Sequence, residues 1–441
     1  LHDALPILND YSFGEYLYQK RKQSGDSQNE LGKKLGVTGK AVSKWENGAA
    51  KPKIQIIRKM AALWGISVEE LLKAGEDIQK MSVSKIVITG GPCAGKTTGM
   101  SWIQNAFTER GYKVLFISET ATELISGGVA PWTCSTNVEY QKCQMKLQIE
   151  KEKVFEQAAG TMDSGKILIV CDRGALDNKA YMTEADFALL LNDLKTNEIE
   201  LRDGYDAVFH LVTAAKGAEQ FYTTANNTAR TETVEEAAAL DDKLISAWTG
   251  HPHLRIIDNS LGFEEKMKHL ISEIANFLGE PEPYEIERKY LIEYPDINIL
   301  DSLPNCEKVE IIQTYLRSTD GEEKRIRQRG SKGHYIYFET YKKAVTGLKR
   351  VEIERRLTKD EYLERLMDAD PLRKPIRKDR YCLADGSQYF EIDVYPFWSD
   401  QAIMEIELSN SDEEIRFPAM IKVIREVTDD EQYKNSSLAK I

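Results

Sequence analysis

The run Gly90-Gly-Pro-Cys-Ala-Gly-Lys-Thr97 limits what this 441-residue chain can build more tightly than any other feature. It follows directly on an apolar stretch, residues 85–89, and leads into a helical one, residues 98–110. GxxxxGK[ST] between a strand and a helix forms a loop whose backbone N–H groups curl around phosphate oxygens. Glycine permits the curl because it has no side chain to obstruct it. Gly90, Gly91, Pro92, Cys93, Ala94, Gly95, Lys96, Thr97 and Thr98 are the expected nucleotide-binding residues. Lys96 is placed to neutralise the outer phosphates, and the Thr97 hydroxyl to hold Mg²⁺.

A strand feeding such a loop needs parallel neighbours. From residue 81 to 279 apolar runs at 85–89, 113–118, 166–171, 207–212 and 255–257 alternate with helical segments, the pattern of a parallel sheet wrapped by helices. The third run ends in Asp172, at the carboxyl end of a strand, where a parallel sheet presents catalytic groups. Asp172 is expected to organise Mg²⁺, and Arg173 to meet the transferred phosphoryl group or its acceptor. Arg230, after a polar loop-like stretch, is the candidate for a lid residue closing on the phosphates, and Glu119 a candidate for holding an acceptor. Together these motifs resemble the NadR-type P-loop ATPase/kinase family, related in fold to thymidylate and ribosylnicotinamide kinases. The resemblance implies ATP or GTP as ligand and leaves the acceptor open.

Ahead of this module the charge reverses. The chain as a whole is acidic, with net charge −12, yet between Lys20 and Lys59 eleven Lys/Arg stand against three Asp/Glu. Residues 12–76 read as short helices. Leu31, Leu35, Val37, Val42 and Trp45 supply an apolar face, Gly36 permits a tight turn, and Thr38 caps the helix that follows. Lys40, Ala41, Ser43 and Lys44 lie opposite, on a short basic helix able to enter a major groove, with Gln28 near a phosphate. The stretch Val42-Ser-Lys-Trp-Glu-Asn-Gly48 and the helix ending Ile66-Ser-Val-Glu-Glu-Leu71 resemble the Cro/lambda-repressor-like (XRE) helix-turn-helix family. That resemblance implies double-stranded DNA as a partner, read by Gln28, Thr38, Lys40, Ser43 and Lys44, and a homodimer as the binding form.

After the proline-bearing stretch 279–283, period-two alternation of charged and apolar residues takes over, as in an antiparallel sheet. Glu285, Glu287 and Lys289 fall on one strand face. The device recurs at Arg325 and Arg327, Thr340 and Lys342, Glu352 and Glu354, Lys378 and Arg380, Glu391 and Asp393, and Glu405 and Glu407. One such strand is an ordinary solvated face. Seven in series point to a barrel with a charged interior. Lys289, Arg325, Arg327, Lys342, Lys378 and Arg380 then bind phosphates, and the carboxylates at 285, 287, 352, 354, 391, 393, 405 and 407 hold Mg²⁺ or Mn²⁺. The ExExK run at Glu285, Glu287 and Lys289 resembles the CYTH, or triphosphate tunnel metalloenzyme, family over residues 284–430. It implies an eight-stranded antiparallel tunnel, with Glu285, Glu287 and Lys289 catalytic. The order of the last two modules also resembles the TRP-like-channel translocation-defect protein family, associated with GTP and phosphoinositide binding.

The expected architecture is therefore multidomain. An all-α helix-turn-helix at 12–76 precedes an α/β P-loop NTPase with a parallel sheet at 81–279 and an antiparallel β-barrel with helices at 284–430. No run of about 18 apolar residues is present, so no membrane-spanning helix is expected. Six scattered cysteines without a CxxC pair suit reduced thiols, and a cytoplasmic protein is expected. Two readings of function stay open. One is an enzyme, P-loop ATPase or kinase-like with a metal-dependent triphosphatase tunnel. The other is a transcriptional regulator that senses a nucleotide or polyphosphate without tunnel catalysis.

Overall fold

The computed structural model describes residues 17–18, 20–22, 24–46, 52–66, 82–162, 165–222, 233–280, 286–318, 322–346, 349–408 and 413–440. Its contacts gather into two compact units. One comprises residues 1–83 with 111–113 and 157–167; the other comprises the rest and holds most of the parallel sheet and all of the antiparallel one.

In the first unit α1 (Gln28–Leu35) begins with a capping box: Glu30 N–H donates to Ser27 Oγ, and Ser27 N–H donates back to the Glu30 carboxylate. Gly36, at φ +78°, ends the helix in the left-handed conformation. Thr38 Oγ1 then accepts from Ala41 N–H at 3.2 Å and opens α2 (Gly39–Glu46). Gly32 lies where α1 passes the turn, and a Cβ there would meet Val37 O at 2.9 Å. With α3 (Ile54–Trp64) these helices close on Leu31, Leu35, Val42, Trp45, Ile57 and Met60. Arg21 and Glu46 form a buried two-pronged ion pair at 2.6 and 3.0 Å that ties the preceding segment to α2.

The parallel sheet has five strands, β1 (Ser82–Thr89), β2 (Lys113–Ile117), β3 (Lys166–Asp172), β4 (Ala207–Leu211) and β5 (Leu254–Ile257). Their order is β2-β3-β1-β4-β5, with β1, β4 and β5 paired in parallel. The strand interiors are continuous apolar runs, with Ile86, Val87, Ile88 and the stretch from Ile167 to Cys171 fully buried, as covering by helices on both faces requires.

The second sheet is antiparallel throughout: β6 (Ile286–Glu293), β7 (Cys306–Tyr315), β8 (Glu322–Ser331), β9 (His334–Thr346), β10 (Lys349–Leu357), β11 (Ile376–Asp385), β12 (Gln388–Val394), β13 (Gln401–Leu408) and β14 (Val423–Glu426). Its order is β10-β9-β8-β7-β11-β12-β13-β6-β14. Among the described residues nine strands stand where the resemblance implies eight, the short β14 lying at the edge beside β6. One face carries the apolar cluster of Tyr290, Ile292, Phe390, Ile392, Met404 and Ile406, packed under Leu300. The module also runs past residue 430. Leu438 and Ala439 pack with Leu291, Ile376 and Ile403, and Lys374 N–H donates to Ala439 O at 2.8 Å.

Candidate functional site

The phosphate-cradling loop sits between β1 and the helix α4 (Lys96–Glu109). Gly90 has φ +138°, and a Cβ there would fall 2.0 Å from Leu211 O, so only glycine lets the loop lie against β4. Asp241 anchors the loop from below, accepting from Gly91 N–H at 2.9 Å and Thr213 N–H at 3.2 Å, beside His210 at 3.0 Å and Lys216 Nζ at 3.1 Å. Burial alone would raise its pKa, but His210 and Lys216 outweigh that and hold the carboxylate ionised. Thr213 Oγ1 donates to Pro92 O. Cys93 adopts φ +56°, Ala94 is buried, and Thr97 and Thr98 are exposed at the start of α4.

Lys96 Nζ donates to Gly90 O and Gly91 O at 3.0 and 3.2 Å, folded back over the loop it would share with phosphates. Burial, then the charge of Arg173, lowers its pKa to about 8, against Glu119, Asp172 and Asp177. Arg173, at φ +73°, donates to Glu119 Oε1 at 3.1 Å and lies 3.7 Å from Asp177. Asp177 is in turn held by Thr89 Oγ1 at 2.9 Å and Trp248 Nε1 at 2.5 Å. Asp172 ends β3 as expected, and burial, opposed by Lys96, raises its pKa. Asp172 Oδ1 and Arg173 Nη1 are buried without a hydrogen-bond partner, an expensive state that a bound cation and a phosphoryl oxygen would relieve. Thr97 and Asp172 carry oxygen donors of the kind that could hold Mg²⁺. Arg230 lies outside the described residues.

In the antiparallel sheet the register brings the charged pairs onto one face. Lys289 stands opposite Glu405, Glu405 opposite Glu391, Arg380 opposite Asp393, Thr340 opposite both Arg325 and Glu354, and Glu407 opposite Glu287. Lys289 reaches Glu405 at 2.7 Å and Glu287 at 3.0 Å. Arg380 donates to Asp393 at 2.6 and 2.7 Å, to Glu405 at 2.7 Å and to Glu391, and Lys378 donates to Asp393. Arg327 donates to Glu354 at 2.7 Å. Lys378, Arg380, Asp393 and Glu405 are all buried, so this face points inward. Burial would raise Glu405, but Lys289, Arg380 and Lys378 override it and hold it well below the usual carboxylate range. Burial, then Arg380, lowers Lys378, with Asp393 and Glu405 opposing. Glu285 lies outside the described residues, as do the side chains of Lys342 and Glu352.

Glu287, Glu391, Glu405 and Glu407 line one cavity of 860 Å³. Their hard oxygens suit Mg²⁺ or Mn²⁺, although among the described residues no three acidic, His or Cys side chains are yet gathered around one point.

On the amino-terminal module Lys40 and Lys44 are exposed on α2 and Ser43 is half-buried. Thr38 is spent on its cap, and Gln28 Nε2 donates to Glu46 Oε2 at 2.8 Å, a half-buried contact that its place at the head of α1 did not reveal.

Sequence reasoning also missed Asp203, Arg255 and Arg329. Arg329 continues the alternation of Arg325 and Arg327, yet its guanidinium leaves the strand network, donating to Asp203 Oδ2 at 2.7 Å and to Gly250 O. The two sheets of the second unit meet here, where Gly250 N–H donates to Tyr389 Oη at 2.9 Å and Tyr389 Oη donates to His251 O at 3.0 Å.

Comparison with known proteins follows the same three parts. The sequence profile of a helix-turn-helix family matches residues 17–71, and that of an AAA domain family residues 85–266. An inorganic triphosphatase of Nitrosomonas europaea is 36% identical over 160 residues, which span 35% of this chain and 96% of that protein. A prophage-derived HTH-type transcriptional regulator of Bacillus subtilis, YonR, is 36% identical over 61 residues, 14% of this chain and 56% of that protein. A crystal structure of an inorganic triphosphatase aligns at 29% identity with TM-score 0.26, covering 35% of this chain and 94% of that one. No helix among the described residues is long and apolar enough to cross a membrane.

Proposed function

The chain belongs to the CYTH family of inorganic triphosphatases through its carboxyl-terminal module, and from that premise we propose a metal-dependent triphosphatase tunnel joined to a nucleotide-binding P-loop module and a DNA-binding head. The carrying observation is the buried face on which Lys289, Arg380 and Lys378 interlock with Glu405 and Asp393. Buried charges are tolerated because they are paired here, and a face with so many paired charges offers both basic and acidic partners that a highly charged ligand can exchange into.

In this reading Lys289, Arg325, Arg327, Lys342, Lys378 and Arg380 bind the phosphate oxygens of a linear triphosphate. Their positive charge stabilises what passes to the leaving pyrophosphate as water attacks the terminal phosphorus. Glu285, Glu287, Glu352, Glu354, Glu391, Asp393, Glu405 and Glu407 are the pool from which Mg²⁺ or Mn²⁺ draws its ligands. The metal supplies polarisation of the terminal phosphoryl group. Glu285, Glu287 and Lys289 are the residues assigned to catalysis.

In the P-loop module Gly90 to Thr98 cradle ATP or GTP, Lys96 leaves the loop carbonyls for the outer phosphates, and Thr97 and Asp172 hold Mg²⁺. Arg173 and Arg230 meet the transferred group. In the head Lys40 and Lys44 contact DNA phosphates, with Thr38, Ser43 and Gln28 nearby, and two copies bind one site. Phosphate release from inorganic tripolyphosphate by the full chain, with and without divalent metal, tests the tunnel reading.

One observation favours the second reading, a sensor without tunnel catalysis. Glu405, Asp393 and Glu407 are committed to basic partners, as a site that only binds a polyanion would leave them. Gel-shift of DNA with and without nucleotide or tripolyphosphate separates the two.

A further inference from the structure

We propose that Arg255, which belongs to the P-loop module, is a substrate-contacting residue of the triphosphate tunnel. The proposal rests on the tunnel reading above and deepens it.

Arg255 stands on β5, the edge strand of the parallel sheet, where its two chain neighbours, Leu254 and Ile256, are buried in the core. Alternation along the strand turns Arg255 the other way. Its Nη2 meets Glu407 on β13, its Nε lies 3.4 Å from Glu273, and Nη1 donates to Leu254 O at 3.2 Å. Glu407 faces Glu287 across β13 and β6 and continues the face that carries Glu405. Arg255, Glu273, Glu287, Glu405 and Glu407 line the same 860 Å³ cavity.

The charge balance there is what gives Arg255 its role. To this cavity the antiparallel strands contribute Glu287, Asp385, Glu391, Glu405 and Glu407, and neither lysine nor arginine; its basic lining comes from Arg255, Lys268 and His269 and from Arg416, which lies outside the strands. The charged groups that a triphosphate reaching this end of the face would meet on the tunnel's own strands are all carboxylates. Arg255 supplies a guanidinium from the neighbouring module, whose planar fork can take two phosphate oxygens at once. One of its present partners, Glu407, is a carboxylate in the metal-ligand pool. Were Glu407 to hold a divalent ion, Arg255 Nη2 would be freed to face a phosphate oxygen. The cavity's volume lies in the range of small-molecule sites, wide enough for a triphosphate chain free or carried on a nucleoside.

The test uses the full chain in a Lys96→Ala background, which silences nucleotide binding at the P-loop. Calorimetric titrations with inorganic tripolyphosphate and with ATP, in Mg²⁺, compare that background with added Arg255→Ala, Arg255→Lys and the exchange Arg255→Glu/Glu407→Arg. Arg255→Ala is expected to weaken binding of at least one triphosphate about tenfold or more, with Arg255→Lys recovering part. Loss for both identifies the phosphate chain as the recognised element, and loss for ATP alone identifies a nucleoside triphosphate. The exchange restores an ion pair between the modules without restoring the guanidinium to β5, so it should not rescue binding. Unchanged affinity in Arg255→Ala, or full rescue by the exchange, overturns the assignment and leaves Arg255 a docking residue. Absence of binding in the Lys96→Ala background itself overturns the tunnel reading beneath it.

Discussion

Arg329 of β8 donates to Asp203 Oδ2 at 2.7 Å across the junction between the two sheets, and neither side chain is more than 1% exposed. Arg202 Nε also donates to Asp203, at 2.9 Å, and Arg329 further donates to Gly250 O. An arginine in step with the charged face of the antiparallel sheet is thus spent on joining the modules. Arg329→Met should destabilise the chain by about 3–5 kcal/mol, the cost of breaking a buried pair and leaving its partner charged. Denaturant unfolding checks this, and a change below about 1 kcal/mol would remove Arg329 from the junction.

The same pair fixes an acid limit. Burial would raise Asp203, but Arg202 and Arg329 prevail and lower it to about 2. Glu354 and Glu405 are likewise held below the ordinary glutamate value, burial being outweighed by Arg327 in one and by Lys289 and Arg380 in the other. A carboxylate with a depressed folded pKa adds stability above its unfolded value and loses it as pH falls toward the folded one. The melting temperature should therefore be insensitive to these groups above about pH 5 and fall steeply below about pH 4. Thermal melts across pH 2–8 read the curve directly.

Lys96 gives the opposite sign. Its folded pKa of about 8 lies below the lysine value of 10.5, so the nucleotide-free protein carries a disfavoured charge at neutral pH. Stability should rise with pH between the two values, where the unfolded chain binds the extra proton. Lys96→Met should abolish nucleotide binding, yet raise nucleotide-free stability at pH 7 by roughly 1–3 kcal/mol. Melting curves of the nucleotide-free variant at pH 7 and pH 10 check the sign, and a destabilised variant would contradict it.

On the amino-terminal head Lys40 and Lys44 are exposed while Gln28 is engaged by Glu46. Lys40→Ala and Lys44→Ala should each weaken binding to all DNA sequences alike and reduce the slope of log affinity against log salt by about 1. Gln28→Ala acts instead through the loss of its bond to Glu46. Salt titrations by fluorescence anisotropy separate the two behaviours.

Much of this was legible because its signals are local. The phosphate loop is one eight-residue run beside one strand, and the charged face follows from period-two spacing within single strands. Thr38 as a cap and Leu31, Leu35, Val42 and Trp45 as a core came from helix spacing alone. What stayed hidden depends on partners distant in the chain. Arg329 has the spacing of a phosphate ligand and is claimed by Asp203, 126 positions earlier; Arg255 reads as a polar residue on an edge strand until Glu407, 152 positions later, stands beside it. The short edge strand β14 and the packing of Leu438 and Ala439 have no periodic signature, since a four-residue strand and a single turn of helix are too short to show one.

The account turns on a charged face that works on triphosphates. Phosphate release from inorganic tripolyphosphate, with Mg²⁺ or Mn²⁺, by the full chain and by Glu287→Gln and Lys96→Ala variants measures that directly. Metal-dependent release that Glu287→Gln abolishes and Lys96→Ala retains is the predicted result. No release by the unaltered chain from tripolyphosphate, ATP or thiamine triphosphate under either metal would contradict it.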